Sequence, residues 1–174
     1  MDTATPIQSV FDLSRLSEAG YERVVTATPT ELAAIAAWEG VDAVTDFEGR
    51  VTLKRLSQNR FAYSATLSAD IVQSCVVTLE PVKSHVSRKF SRELHYSPAR
   101  HDDEVGTISL APTEDDTPDE IHSLKFDLAG PLLEEFSLAV DPYPRAPGVA
   151  FEPPVDEPAR QANPFAALKG LKRG

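Results

Sequence analysis

Over residues 61–79 apolar and polar side chains change places at nearly every step. The odd positions read Phe61, Tyr63, Ala65, Leu67, Ala69, Ile71, Gln73, Cys75, Val77 and Leu79, and the even ones from 62 to 70 read Ala, Ser, Thr, Ser, Asp. A period of two belongs to a strand with one face packed and the other in water. The run is longer than the usual strand of about five or six residues. A bend or bulge is therefore expected near Gln73, the polar residue on the apolar parity. The next run alternates with opposite parity: Val82, Val86, Phe90, Leu94 and Tyr96 hold even positions, and every odd position from Lys83 to His95 is polar. Residues 41–56 read as one strand, or as a bent pair broken at "DFEGR", and "SQN" at 57–59 supplies a hairpin turn. Three extended runs with short connections predict an antiparallel meander.

Two helices complete the layer. "TPTE" at 28–31 is a capping box, with Thr28 accepting a backbone N–H, Glu31 reaching back and Pro29 at the first helical position. Leu32, Ile35, Ala36 and Trp38 follow before Gly40. A second helix is expected after Asp127 as N-cap, running to about Val140, with Leu128, Leu132, Phe136, Ala139 and Val140 as its apolar stripe. "TPDE" at 117–120 imitates the first capping box, but no periodic helix follows, and 121–126 reads as a short strand. From Asp141 onward prolines accumulate, which favours an extended strap. The fold class is α+β: a twisted antiparallel sheet, able to curl toward a barrel, with two packed helices and an extended Pro-rich C-terminal tail. Residues 1–144 form the expected domain, and 145–174 the strap and tail.

The same residues narrow the chemistry. One cysteine, Cys75, precludes an intramolecular disulfide framework. It falls on the apolar parity, where a buried, inert thiol is expected rather than a nucleophile. His85, His95, His101 and His122 show no familiar ligand spacing with it. There is no GxSxG, no HExxH and no phosphate-cradling Gly-rich loop. No cofactor and no metal are expected. Neither a membrane span nor a secretory n-region followed by an h-region is visible, so the expectation is a cytoplasmic protein with no membrane partner.

Charge is sorted along the chain. Against a net charge of −10, residues 82–101 carry Lys83, Arg88, Lys89, Arg92 and Arg100 with only Glu93 opposing them. Residues 102–120 then carry eight carboxylates and no Lys or Arg. A charged strand followed by a solvated loop explains this blandly; a binding surface explains it functionally. The last twelve residues, "NPFAALKGLKRG", place Phe165, Leu168 and Leu171 on one side of a short helical piece and add Lys169, Lys172 and Arg173. Such a piece is too short to be stable alone, so it docks on its own domain or orders on a partner. Cations without obvious stacking aromatics suggest phosphate contacts rather than base reading.

"CVVTLEPV" at 75–82, "FDLAGPLLEEFSLAVDPYP" at 126–144 and the closing "NPFAALKGLKRG" together resemble the bacterial YceD-like family, the large ribosomal RNA subunit accumulation proteins. Many relatives look like C-x-x-C-L-x-P-V at the first motif. Here Cys75, Leu79, Pro81 and Val82 match and Thr78 replaces the second cysteine, so a two-thiol metal or redox role is not open to this chain. The motif, with Asn163, Pro164 and Phe165 of the tail, is expected to be structural. What the resemblance implies is a non-enzymatic factor supporting 23S rRNA accumulation or processing and large-subunit assembly. Contact with pre-ribosomal RNA is expected through Lys83, Arg88, Lys89, Arg92, Lys169, Lys172 and Arg173. The alternative is an adaptor or holdase for a basic large-subunit ribosomal protein, using the acidic 102–120 segment. An RNA-modifying enzyme would rest on the family label alone.

Overall fold

The computed structural model describes residues 5–98 and 118–150. Its centre is the expected meander: β3 (Ala43–Arg55), β4 (Arg60–Ser74) and β5 (Pro81–Tyr96) pair antiparallel in sequence order. The odd residues of β4 meet the even residues of β5, so Phe61 opposes Leu94, Ala65 opposes Phe90 and Ala69 opposes Val86. Opposite parities in the sequence thus become one shared apolar face. Residues 41–56 resolve to a single strand, because Gly49 within "DFEGR" continues the ladder opposite Leu67.

No bulge forms at Gln73, and the bend expected near it falls just beyond, at the turn that starts with Cys75. Strand β4 runs unbroken and keeps its register with β5 to Ser74. Gln73 stays buried on the apolar parity because its side-chain amide donates to the Asp141 carbonyl at 2.9 Å. The irregularity lies instead in β3, where the register shifts between Val44 and Asp46 and Thr45 is the extra residue. Strand β4 also ends earlier than its alternation does. Cys75 to Glu80 form a turn, closed by the Leu79 N–H on the Cys75 carbonyl at 2.9 Å and the Cys75 N–H on the Glu80 carbonyl at 2.8 Å. Leu79 adopts φ 60 there, left-handed backbone that a strand never uses.

Two short strands add to the expected set, and one expected strand divides. β1 (Val10–Asp12) precedes a 3-10 turn at Leu13–Arg15, and β2 (Tyr21–Thr26) pairs antiparallel with β3. The single strand expected at 121–126 is two: β6 (Asp119–Ile121), parallel to β5, and β7 (Lys125–Asp127), antiparallel to β1. Hydrogen bonds of His122 with the Ser97 carbonyl and of the Lys125 N–H with the Ser123 hydroxyl turn the chain between them. The main sheet therefore has the order β2-β3-β4-β5-β6 and is mixed rather than purely antiparallel, and it does not close into a barrel.

Helix α1 (Pro29–Glu39) carries the expected capping box, and Gly40 ends it at φ 78. Helix α2 (Gly130–Ala139) is capped differently from expectation. Its N-cap is Ala129, and the Asp127 carboxylate, at the end of β7, accepts N–H groups of Ser9 and Ala129 at 2.7 and 3.0 Å. Asp127 thus ties the N-terminal segment to the helix entry instead of capping it. Leu128, Leu132, Leu133 and Phe136 are buried in one core with Ile35, Phe47, Val51, Leu53 and the inward residues of β4. Phe136 meets Phe47 edge-on at 5.6 Å. A Cβ at Gly49 would run into the methyls of Leu132, so this close approach needs glycine. The Tyr63 hydroxyl donates to the Leu128 carbonyl at 2.9 Å, and burial pushes its pKa up.

Candidate nucleic-acid interface

With helices and the β1–β7 ribbon on one face, the opposite face of β2–β5 is left uncovered by the described residues. Strand parity decides which cations reach it. Lys83 and Lys89, at odd positions of β5, oppose Val72 and Thr66 and are exposed on the open face. Arg88 and Arg92 oppose Leu67 and Tyr63 and lie on the other face. The four cations expected to act together are therefore divided.

Arg92 is further committed. Its guanidinium binds the Glu134 and Glu135 carboxylates from α2, the latter at 3.2 Å, lies 3.7 Å from Asp119 on β6, and sits over the Phe90 ring at 5.7 Å. Burial alone would lower its pKa, but hydrogen bonds and attraction from these carboxylates outweigh it and hold the charge more firmly than usual. Charge sorted along the chain is thus partly brought back together in space: β6 lies parallel to β5, and Asp119 is delivered to the strand of opposite charge. Lys83, Arg88 and Lys89 make no ion pair among the described residues.

The register of three strands builds the open face into cross-strand rows. Arg50, Thr66 and Lys89 form one, and Thr52, Ser64 and Ser91 the next. These six line a hollow of about 510 Å³. Asp46, Asp70 and His85 form another row, with His85 Nδ1 2.7 Å from Asp70 Oδ1. Lys83 lies beside this pair in a second hollow of about 360 Å³. At the hairpin end Arg60 is paired with Glu93. Arg50 was not among the sequence candidates. Its signal was present in "GRVTLKR", where Arg50, Thr52 and Lys54 alternate with Val51 and Leu53, but only the pairing of β3 with β4 sets them beside Lys89.

The 75–82 motif is a structural latch. Cys75 is buried, and its sulfur accepts N–H groups of Val77, Thr78 and Ala146 at 3.5, 3.5 and 3.4 Å. Hydrogen bonding from the Thr78 side chain, then from these backbone groups, pulls the thiol down to about 6. Burial closes it to reagents all the same. The neighbouring Val76 N–H donates to the Pro144 carbonyl at 2.9 Å, so residues 144–146 lie against the turn. Pro81 opens β5 and Val82 opposes Gln73. Among the described residues no group of three or more His, Cys, Asp or Glu side chains is placed to hold a metal ion, and no helix is long and apolar enough to cross a membrane. Lys169, Lys172, Arg173, Asn163, Pro164 and Phe165 lie outside the described residues, as does the acidic segment up to residue 117.

No curated protein and no solved structure matches the chain. A family profile does, over residues 63–172, from Tyr63 near the start of β4 through the latch and α2 to the basic tail. The latch, the helix that engages Arg92, β5 and all of β4 from Tyr63 onward fall within that span, and the chain belongs to the YceD family, described as large ribosomal RNA subunit accumulation proteins.

Proposed function

We propose that this protein is a non-enzymatic factor that supports 23S rRNA accumulation and large-subunit assembly by contacting pre-ribosomal RNA directly. Lys83, Arg88, Lys89 and the tail cations Lys169, Lys172 and Arg173 supply the contacts, in the cytoplasm. The observation that carries the reading is that Lys83 and Lys89 stand on a sheet face that the described residues leave uncovered, with no ion-pair partner among them. Arg92 has a different part: it fastens α2 and β6 to β5 and is spent on carboxylates. Neutralising phosphates supplies most of the affinity of such a protein and makes it salt-dependent. A chain of net charge −10 opposes RNA overall, which requires the contacting cations to be locally gathered.

The test is binding of the full chain to 23S rRNA fragments across a salt series. Affinity falling steeply with salt, and weakened at least tenfold by Lys83→Ser, Arg88→Ser and Lys89→Ser together, is expected. Salt-independent binding, or none, overturns direct contact. Retention of ribosomal proteins on the immobilised protein after nuclease treatment would favour the adaptor reading through the acidic segment. A new 5′ end on precursor rRNA incubated with the protein would contradict a non-enzymatic role.

A further inference from the structure

We infer that the hollow across β3, β4 and β5 is a seat for the RNA phosphodiester backbone, with Arg50 and Lys89 as its two cationic sides. This deepens the direct-contact reading and rests on it. Neighbouring strands lie about 4.8 Å apart, so the backbones of Arg50 and Lys89, two strands apart in one row, are separated by about 10 Å. Both side chains are long enough to lean inward over Thr66 and meet on a single phosphate. The guanidinium offers a planar fork for two phosphate oxygens, and the ammonium a compact charge. Thr52, Ser64 and Ser91 lie in the adjoining row of the same hollow. Their hydroxyls both donate and accept, which suits phosphate oxygens and the ribose 2′-hydroxyl alike.

The chemistry of the face selects this occupant over others. Among the described residues no Phe, Tyr or Trp side chain stands on the open face of β2–β5, and its imidazoles, His85 and His95, lie outside the hollow, so bases find no stacking platform there and contact falls to sugar and phosphate. Its apolar members Val24, Ala43, Ala62, Val72 and Pro81 do not line the hollow, and Ala65 and Phe90, which do, hold strand positions whose side chains belong to the covered face, so the hollow lacks the apolar anchor of a protein interface. The hollow is an open stretch of sheet rather than a closed chamber, and an extended polyanion crossing its two rows fits it better than a small ion does. The row of Asp46, Asp70 and His85 lies between it and Lys83. Glu48 is the local restraint: its Oε1 lies 3.6 Å from Arg50 Nη2, with both side chains exposed. An exposed pair of that kind is weak and can be exchanged for phosphate.

The experiment measures anisotropy of a labelled 23S rRNA fragment, and of DNA of the same sequence, with the full-length protein across a salt series. Arg50→Gln with Lys89→Gln is expected to weaken RNA binding at least tenfold and to lower the slope of log affinity against log salt by about 0.7–0.9 for each lost contact. Glu48→Gln should tighten binding severalfold. Glu80→Gln, an equal charge change on the turn at the far end of the β4–β5 hairpin, should leave it unchanged. RNA should be preferred over DNA. Arg50 and Lys89 are exposed, so unchanged thermal unfolding is expected to accompany the loss. If the double variant binds with wild-type affinity and slope while Lys83→Ser with Arg88→Ser weakens binding, the seat is overturned and direct contact stands. If the wild type shows no salt-dependent affinity, direct contact falls and the seat with it. Equal binding of RNA and DNA overturns the role given to the hydroxyls.

Discussion

On the helix-covered face of the sheet, Arg92 is met by Glu134, Glu135 and Asp119, whereas three residues earlier on the same strand Lys89 stands on the open face with no ion pair among the described residues. The two cations differ little in local sequence context. What separates them is the face their parity assigns and what the fold brings to it. Arg92, partly buried there, loses water and is held by its carboxylate partners, so it becomes part of the architecture, whereas Arg88 on the same side is exposed and makes no ion pair among the described residues. A cation on the open face keeps its hydration and its capacity to meet an outside anion. Strand parity, together with the carboxylates that α2 and β6 bring to that side, makes Arg92 structural and leaves Lys89 without an ion pair among the described residues.

Substitutions break the comparison if they move the wrong observable. The largest effect is expected inside. Phe136→Ala removes a fully buried ring against Phe47 and should cost about 3–5 kcal/mol in urea unfolding, while RNA affinity of the remaining folded protein is unaltered. Gly49→Ala pushes a methyl into Leu132 and should cost about 1–3 kcal/mol. A neutral result would mean that α2 shifts easily off the sheet. Arg92→Gln leaves the half-buried Glu135 carboxylate without its partner and should cost about 1–2 kcal/mol, whereas Lys89→Gln should stay within about 0.5 kcal/mol. Equal losses from the two would erase the distinction between the faces.

The smallest effect lies away from both faces. Hydrogen bonds from the Thr28 backbone and then its hydroxyl hold the Glu31 carboxyl below its usual value of 4.5. A carboxyl depressed in the folded state stabilises at pH above its unfolded value and loses that contribution as pH falls through the folded one. Glu31→Gln should therefore flatten the acid limb of stability below about pH 4.5 and leave the salt dependence of RNA binding untouched. Thr28→Ala should cost about 1 kcal/mol at neutral pH. An unchanged acid limb in Glu31→Gln would mean that the box does not hold in solution.

Much of the core was legible. Alternation from Phe61 onward named the inward residues of β4 and β5, and "TPTE" named the start of α1. Three features misled. Gln73 looked like a bulge because its partner, the Asp141 carbonyl, lies 68 residues away. Asp127 looked like a cap because Ser9, to which it also binds, lies 118 residues away. The latch extended the apparent strand, since Cys75, Val77 and Leu79 keep the apolar parity while the backbone turns. Strand β1 escaped, and the strand expected at 121–126 was not seen to divide into β6 and β7, because three residues carry too little periodicity to register.

The sequence by itself determined which residues of each long strand share a face and where α1 begins, because period two and cap chemistry are properties of neighbouring residues. Only the tertiary structure decided that Arg50 lies in one row with Lys89, that β6 brings Asp119 to Arg92, and that the described residues leave one face of the sheet uncovered. Those outcomes depend on pairing and packing between segments far apart along the chain. Local stereochemistry permits many such pairings, and the burial of one common core selects among them.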